Sequence, residues 1–71
     1  MTQDELVAAL EPLVDRANLS DVLTALGRVC AEKAEHLRTN WQDTHTAWAW
    51  DNAEHAMTRA ALSRAVRVVS L

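Results

Sequence analysis

The sequence predicts an all-α fold: a small three-helix domain built on a long antiparallel helical hairpin, with a short N-terminal helix broken near Pro12. Three observations carry that expectation. Apolar residues fall at Leu19, Leu23, Leu26, Cys30, Ala34, Leu37 and Trp41. Every step is three or four, which draws one stripe down a helix of about five turns. A second helical pattern, dense in alanine and tryptophan, follows almost at once. No segment shows sustained period-two alternation or a Gly-containing hairpin dipeptide, so no strand is expected.

The elements follow in order. Thr2-Gln3-Asp4-Glu5 has capping-box spacing, so the first helix starts there. Leu6, Leu10, Leu13 and Ala17 continue at helical spacing, but Pro12 interrupts them. Proline removes a backbone donor and crowds the preceding turn, at a cost of about 3 kcal/mol. It also pushes Glu11 away from helical angles. The expectation is a helix from 3 to about 10, a kink or break, and a short helical turn over 12–17. Asn18-Leu19-Ser20-Asp21 marks the second start, with Ser20 as the cap and Asp21 suited to the positive helix end. The second helix is expected over about 21–39, carrying the helix-spaced pairs Glu32–His36 and Glu35–Arg38. Gly27 lies inside it, at roughly 1 kcal/mol against alanine. Close approach of a facing side chain accounts for that glycine.

Thr39-Asn40 ends the pattern, and Asn40 or Asp43 caps a third helix over about 44–68. Its stripe is Trp50, Ala53, Met57, Ala60 or Ala61, then Val66 and Val69. With the turn centred near residue 42, Ala34 lies level with Trp50 and Gly27 near Met57. Large opposite small is what dense packing requires.

Composition bounds the rest. Seventy-one residues make one domain, 1–71, and no linker or low-complexity tract divides them. A chain this short rarely draws more than roughly 3–5 kcal/mol from one core without disulfides, metal or oligomerisation. Of its 35 apolar residues 13 are alanine, and there is no Phe or Tyr, so bulk must come from Leu, Val, Met and three Trp. That core is thin, and self-association is a natural remedy. The single cysteine, Cys30, cannot form an intramolecular disulfide and reads as a small buried hydrophobe in a reducing compartment. No signal-peptide pattern opens the chain and no apolar run reaches membrane-spanning length, so a cytoplasmic protein without membrane contact is expected.

Net charge is −3, unevenly spread: residues 1–55 hold all ten acids against four bases, while Arg59, Arg64 and Arg67 follow with no acid. The helix macrodipole accounts for part of this. Nucleic-acid binding through the three arginines is the competing functional class, and an acidic domain would repel phosphate. A third class is metal binding. "EKAEH" (32–36) and "DNAEH" (51–55) each place a carboxylate four residues before a histidine, loosely like helical di-metal sites. The usual carboxylate-to-histidine step there is three, and here it is four or one. In a hairpin turning near 42, His36 and His55 are offset by about 10 Å along the axis. One chain could not close such a site, although two chains at a dimer interface could. No metal ligand and no cofactor is therefore assigned. No nucleophile–base–orienter set, phosphate loop or CxxC pair is present, so an enzyme is not expected.

The tryptophans carry more. Trp48 and Trp50 are two residues apart, about 200° around a helix axis, so both cannot face one core. If Trp50 packs against Ala34, Trp48 points elsewhere, covered either by the first helix or by another protein. Trp41 suits a capping role at the hairpin, and tryptophan is enriched at interfaces.

With "LVDRANLSDVLTALGRVCAEKAEHLRTNWQD" (13–43) laid out, the chain resembles a recurrent group of short bacterial proteins. They share an "LSxVLxAL…C.EKAEH…NWQD" core followed by an alanine-rich helix with a tryptophan. The likeness covers residues 13 to about 60. It rests on Leu19, Ser20, Val22, Leu23, Ala25, Leu26, Cys30, Glu32 to His36 and Trp41 to Asp43, with Trp50 as the later tryptophan. Trp48 and "DTHT" depart from it. The resemblance implies a bacterial origin and a compact helical fold, and it transfers no catalytic residue. Within the matched segments, Glu35, His36, Trp41, Gln42 and Asp43 form a candidate hydrogen-bonded patch at the hairpin tip, serving a partner or locking the turn. The expected function is a non-enzymatic protein-interaction or regulatory module of bacterial or mobile-element origin. It would dock on a protein partner or on itself, as a homodimer with Trp48 and Trp41 at or beside the interface.

Overall fold

The computed structural model describes residues 1–71, of which 86% are helical. Four helices follow in order: α1 (Gln3–Arg16), α2 (Leu19–Asn40), α3 (Thr44–Leu62) and α4 (Arg64–Val69). The antiparallel α2–α3 hairpin dominates, as its two stripes require. No helix is long and apolar enough to cross a membrane.

The capping box at the start of α1 forms fully. Glu5 N–H donates to Thr2 Oγ1 at 3.1 Å, and Thr2 N–H donates to Glu5 Oε1 at 2.9 Å. The expected break near Pro12 is absent, and α1 runs on to Arg16. Proline here costs only the amide that would have reached the Ala8 carbonyl. Every residue of α1 up to Leu13 is exposed, so water satisfies that carbonyl.

The cap of α2 also differs from expectation. Asn18, not Ser20, accepts from the Asp21 amide, at 2.7 Å, and the helix begins at Leu19. Ser20 is engaged elsewhere: its hydroxyl donates to the Ala61 carbonyl at 3.0 Å, and its amide donates to Ser70 Oγ at 2.9 Å. At the other end of α2, the amides of Trp41 and Asp43 both donate to the Leu37 carbonyl, at 3.3 and 3.1 Å. Gln42 between them takes the left-handed conformation, φ 51°, that reverses the chain. Asp43 then caps α3, accepting from the Thr46 amide at 3.1 Å.

The third helix does not run unbroken to 68. Ser63 is extended (φ −65°, ψ 149°) and serves as both the end of α3 and the cap of α4. Its hydroxyl donates to the Ala60 carbonyl at 2.7 Å and accepts from the Val66 amide at 3.4 Å. One side chain thus closes one helix and opens the next. The break lets α4 turn back onto the start of α2, where Ser70 meets Ser20.

Only Gly27, Ala34, Ala47 and Ala61 are buried, and all four lie on the α2–α3 seam. The expected register is present at its Gly27 end. A Cβ built on Gly27 would lie 3.5 Å from Met57 Cβ and 3.4 Å from Thr58 Oγ1, ordinary van der Waals distances. The approach is therefore looser than a requirement for glycine implies. Near the tip, Arg38 reaches across to Asp51 at 2.6 Å. α1 packs on α2 alone, without touching α3. The result is flat, 39 × 29 × 16 Å.

Candidate functional site

The most apolar opening lies where α1 leans on α2. Leu10 and Leu13 from α1 face Val22, Leu26 and Val29 from α2 across a groove of about 290 Å³ that stays open to solvent. Leu13, Leu26 and Val29 are each 40–50% exposed. Within α1 only Val14 is even half-buried, so the helix is held near its C-terminal end while Leu6, Val7 and Leu10 remain outside. Two charged residues line the groove, Arg16 and Asp21, and neither is in a salt bridge.

Local sequence explains this geometry. α2 carries two apolar faces, not one. Gly27 and Ala34 face α3, while Val29 stands about 200° around the axis from Gly27, on the side where α1 lies. The single stripe read from Leu19 to Trp41 passes over Val22, Ala25 and Val29. Their own spacing of three and four was the available signal for a second face.

The expected hairpin-tip patch is only partly one cluster. His36 and Trp41 do meet: Trp41 Nε1–H donates to His36 Nε2 at 3.2 Å, and the Asn40 amide lies 2.8 Å from Nδ1. The Asn40 atom that faces Nδ1 is its amide nitrogen, so both ring nitrogens of His36 are engaged, one by Asn40 and the other by the indole. Glu35 points elsewhere, pairing with Arg38 at 3.2 Å beside the Arg38–Asp51 bridge. Gln42 supplies the turn and Asp43 the cap. The bonds that Thr46 donates hold the Asp43 carboxyl below its ordinary range, with a minor contribution from His45.

Trp41 and Trp48 are both exposed, 70% and 62%. The first helix, one of the two covers that the sequence allowed for Trp48, does not reach it. Arg64 and Arg67 share a shallow recess with Leu62, Val68 and Leu71, which Arg59 does not line. Of the acid–histidine segments, Asp51 is taken by Arg38 and Glu54 accepts from Thr58 at 3.3 Å. No three His, Cys, Asp or Glu side chains converge as a metal site would need within the chain. No protein-family model, curated protein or solved structure matches this chain.

Proposed function

We propose that the chain is a non-enzymatic, cytoplasmic protein-interaction module of bacterial or mobile-element origin, docking through the apolar face that α1 and α2 share. The observation that carries this reading is the open groove between Leu10, Leu13, Val22, Leu26 and Val29. Large aliphatic side chains at 40–50% exposure, contiguous and rimmed by charge, are the composition of a docking surface, whereas singly scattered ones are ordinary. The fold itself also favours it. A flat layer of helices has no second layer to bury its faces against, and stable domains are built from two. Trp41, turned outward at the far end of α2, extends the same helix's accessible surface with a residue type suited to interfaces.

The test is retention of a partner from an extract of the native host, with Leu26→Glu as the control. Leu26 is exposed enough for the variant to fold, which circular dichroism verifies. A partner retained by the wild-type chain and lost by Leu26→Glu supports the reading. Identical retention by both rejects the α1–α2 face.

Nucleic-acid binding through Arg59, Arg64 and Arg67 is the second reading. It is favoured only by Arg64 and Arg67 sharing one recess without a paired carboxylate, and is opposed by the net charge of −3. A mobility shift at low salt that collapses on replacing these arginines would promote it above the first.

A further inference from the structure

We infer that the occupant of the α1–α2 groove is a second copy of this chain, packed about a two-fold axis with Arg16 of each protomer against Asp21 of its partner. The inference rests on the docking-face reading and adds the identity of the occupant.

Area is the first argument. The chain exposes 5592 Å², whereas a folded monomer of 7.9 kDa exposes about 4,400 Å² by the scaling of surface with mass. The excess, roughly 1,200 Å², exceeds the ~800 Å² that each partner contributes to a standard stable interface. The radius of gyration agrees: 13.9 Å is observed, against about 11 Å for a compact chain of this length.

Charge is the second argument, and it selects the copy over another partner. Apart from Arg16 and Asp21 the groove lining is almost wholly aliphatic. The two carry opposite charge, stand at adjacent helix ends (the last turn of α1 and the first turn of α2), and form no salt bridge within the chain. A two-fold contact sets any surface against itself, so residue i meets j and j meets i. A surface holding one cation and one anion among leucines and valines is complementary to itself under that operation, whereas a surface of one sign is not. The two-fold also doubles the apolar gain, since Leu13 and Leu26 are each buried twice.

The experiment is mass by sedimentation equilibrium over a thousandfold range of concentration, up to millimolar. Wild type, Leu13→Glu, Leu26→Glu, Arg16→Asp, Asp21→Arg and the double reversal Arg16→Asp/Asp21→Arg are compared, each with its circular dichroism spectrum. The wild type is expected to reach the dimer mass, and the two glutamate variants to stay monomeric and helical. Each single reversal sets two like-charged pairs face to face and is expected to weaken dimerisation about tenfold or more, with the double reversal restoring it. A wild type monomeric throughout overturns the inference, as does a dimer indifferent to Leu13→Glu and Leu26→Glu. A double reversal no better than the singles overturns the Arg16–Asp21 pairing. If the wild type is monomeric yet retains a host protein that Leu26→Glu releases, the second copy is refuted while the docking face stands. If it is monomeric and both retain the same proteins, both readings fall.

Discussion

The backbone amide of Ser20 donates to the hydroxyl of Ser70 at 2.9 Å, joining residues fifty positions apart. The amide is one of the free donors at the start of α2, and the hydroxyl in turn donates to the Val66 carbonyl at 2.7 Å. With the Ser20 hydroxyl on the Ala61 carbonyl, this small relay is what returns α4 to the hairpin. Ser70→Ala should therefore destabilise the chain by about 1 kcal/mol and speed hydrogen exchange at the Ser20 amide. An unchanged exchange rate at Ser20 would show that the relay does not hold α4.

Gly27 offers a test of the α2–α3 seam. Its missing Cβ has room at 3.4–3.6 Å from Thr58, Met57 and Glu54. Gly27→Ala should then gain most of the helix-propensity difference, about 0.5–1 kcal/mol, which raises Tm by a few degrees in a chain this size. Gly27→Leu should lose roughly 1–3 kcal/mol through overpacking. Thermal unfolding of the pair decides the spacing of the two helices. A loss of stability in Gly27→Ala would mean that they pack closer than these distances.

Gln42 holds a left-handed φ of 51° at the hairpin turn. That conformation costs a non-glycine residue about 1–2 kcal/mol, part of which glycine gives back as greater freedom in the unfolded chain. Gln42→Gly is expected to stabilise by about 0.5 kcal/mol, and Gln42→Val to destabilise by more than that. Denaturant midpoints measured at constant slope check both signs.

Acid should weaken the chain through two caps. The Thr2 amide and hydroxyl lower the Glu5 carboxyl below its ordinary 4.5, and Thr46 lowers Asp43 below its ordinary 3.8. A depressed folded value means that the unfolded chain takes up protons first as pH falls. The stabilisation is full above the ordinary values and is lost as pH drops through the folded ones. Tm should be level from neutral pH to about 5 and fall below about 4. Asp43→Asn, which keeps a capping oxygen without the charge, should flatten that fall. A profile unaltered in Asp43→Asn would remove Asp43 from the account.

Much of this was legible without coordinates. The stripe from Leu19 to Trp41 dictated the long helix because residues three and four apart share a helix face. Thr2-Gln3-Asp4-Glu5 marked its cap for the same local reason, Asp43 was one of two candidates beside Asn40 for the cap of the third helix, and the small residues Gly27 and Ala34 marked the seam. The meeting of His36 with Trp41 also follows from neighbouring turns at the end of one helix. What only the tertiary structure decided lies at longer range. Pro12 stays helical because its orphaned acceptor faces water. Ser20 gives up capping to Asn18 because Ala61 and Ser70 arrive beside it. Ser63 splits the last helix so that Ser70 can arrive. The open groove is decided in the same way: periodicity reports which residues share a face, but which face meets which depends on the path of the whole chain. Here α2 has apolar residues on two sides, α3 covers one, and α1 covers the other only near Val14.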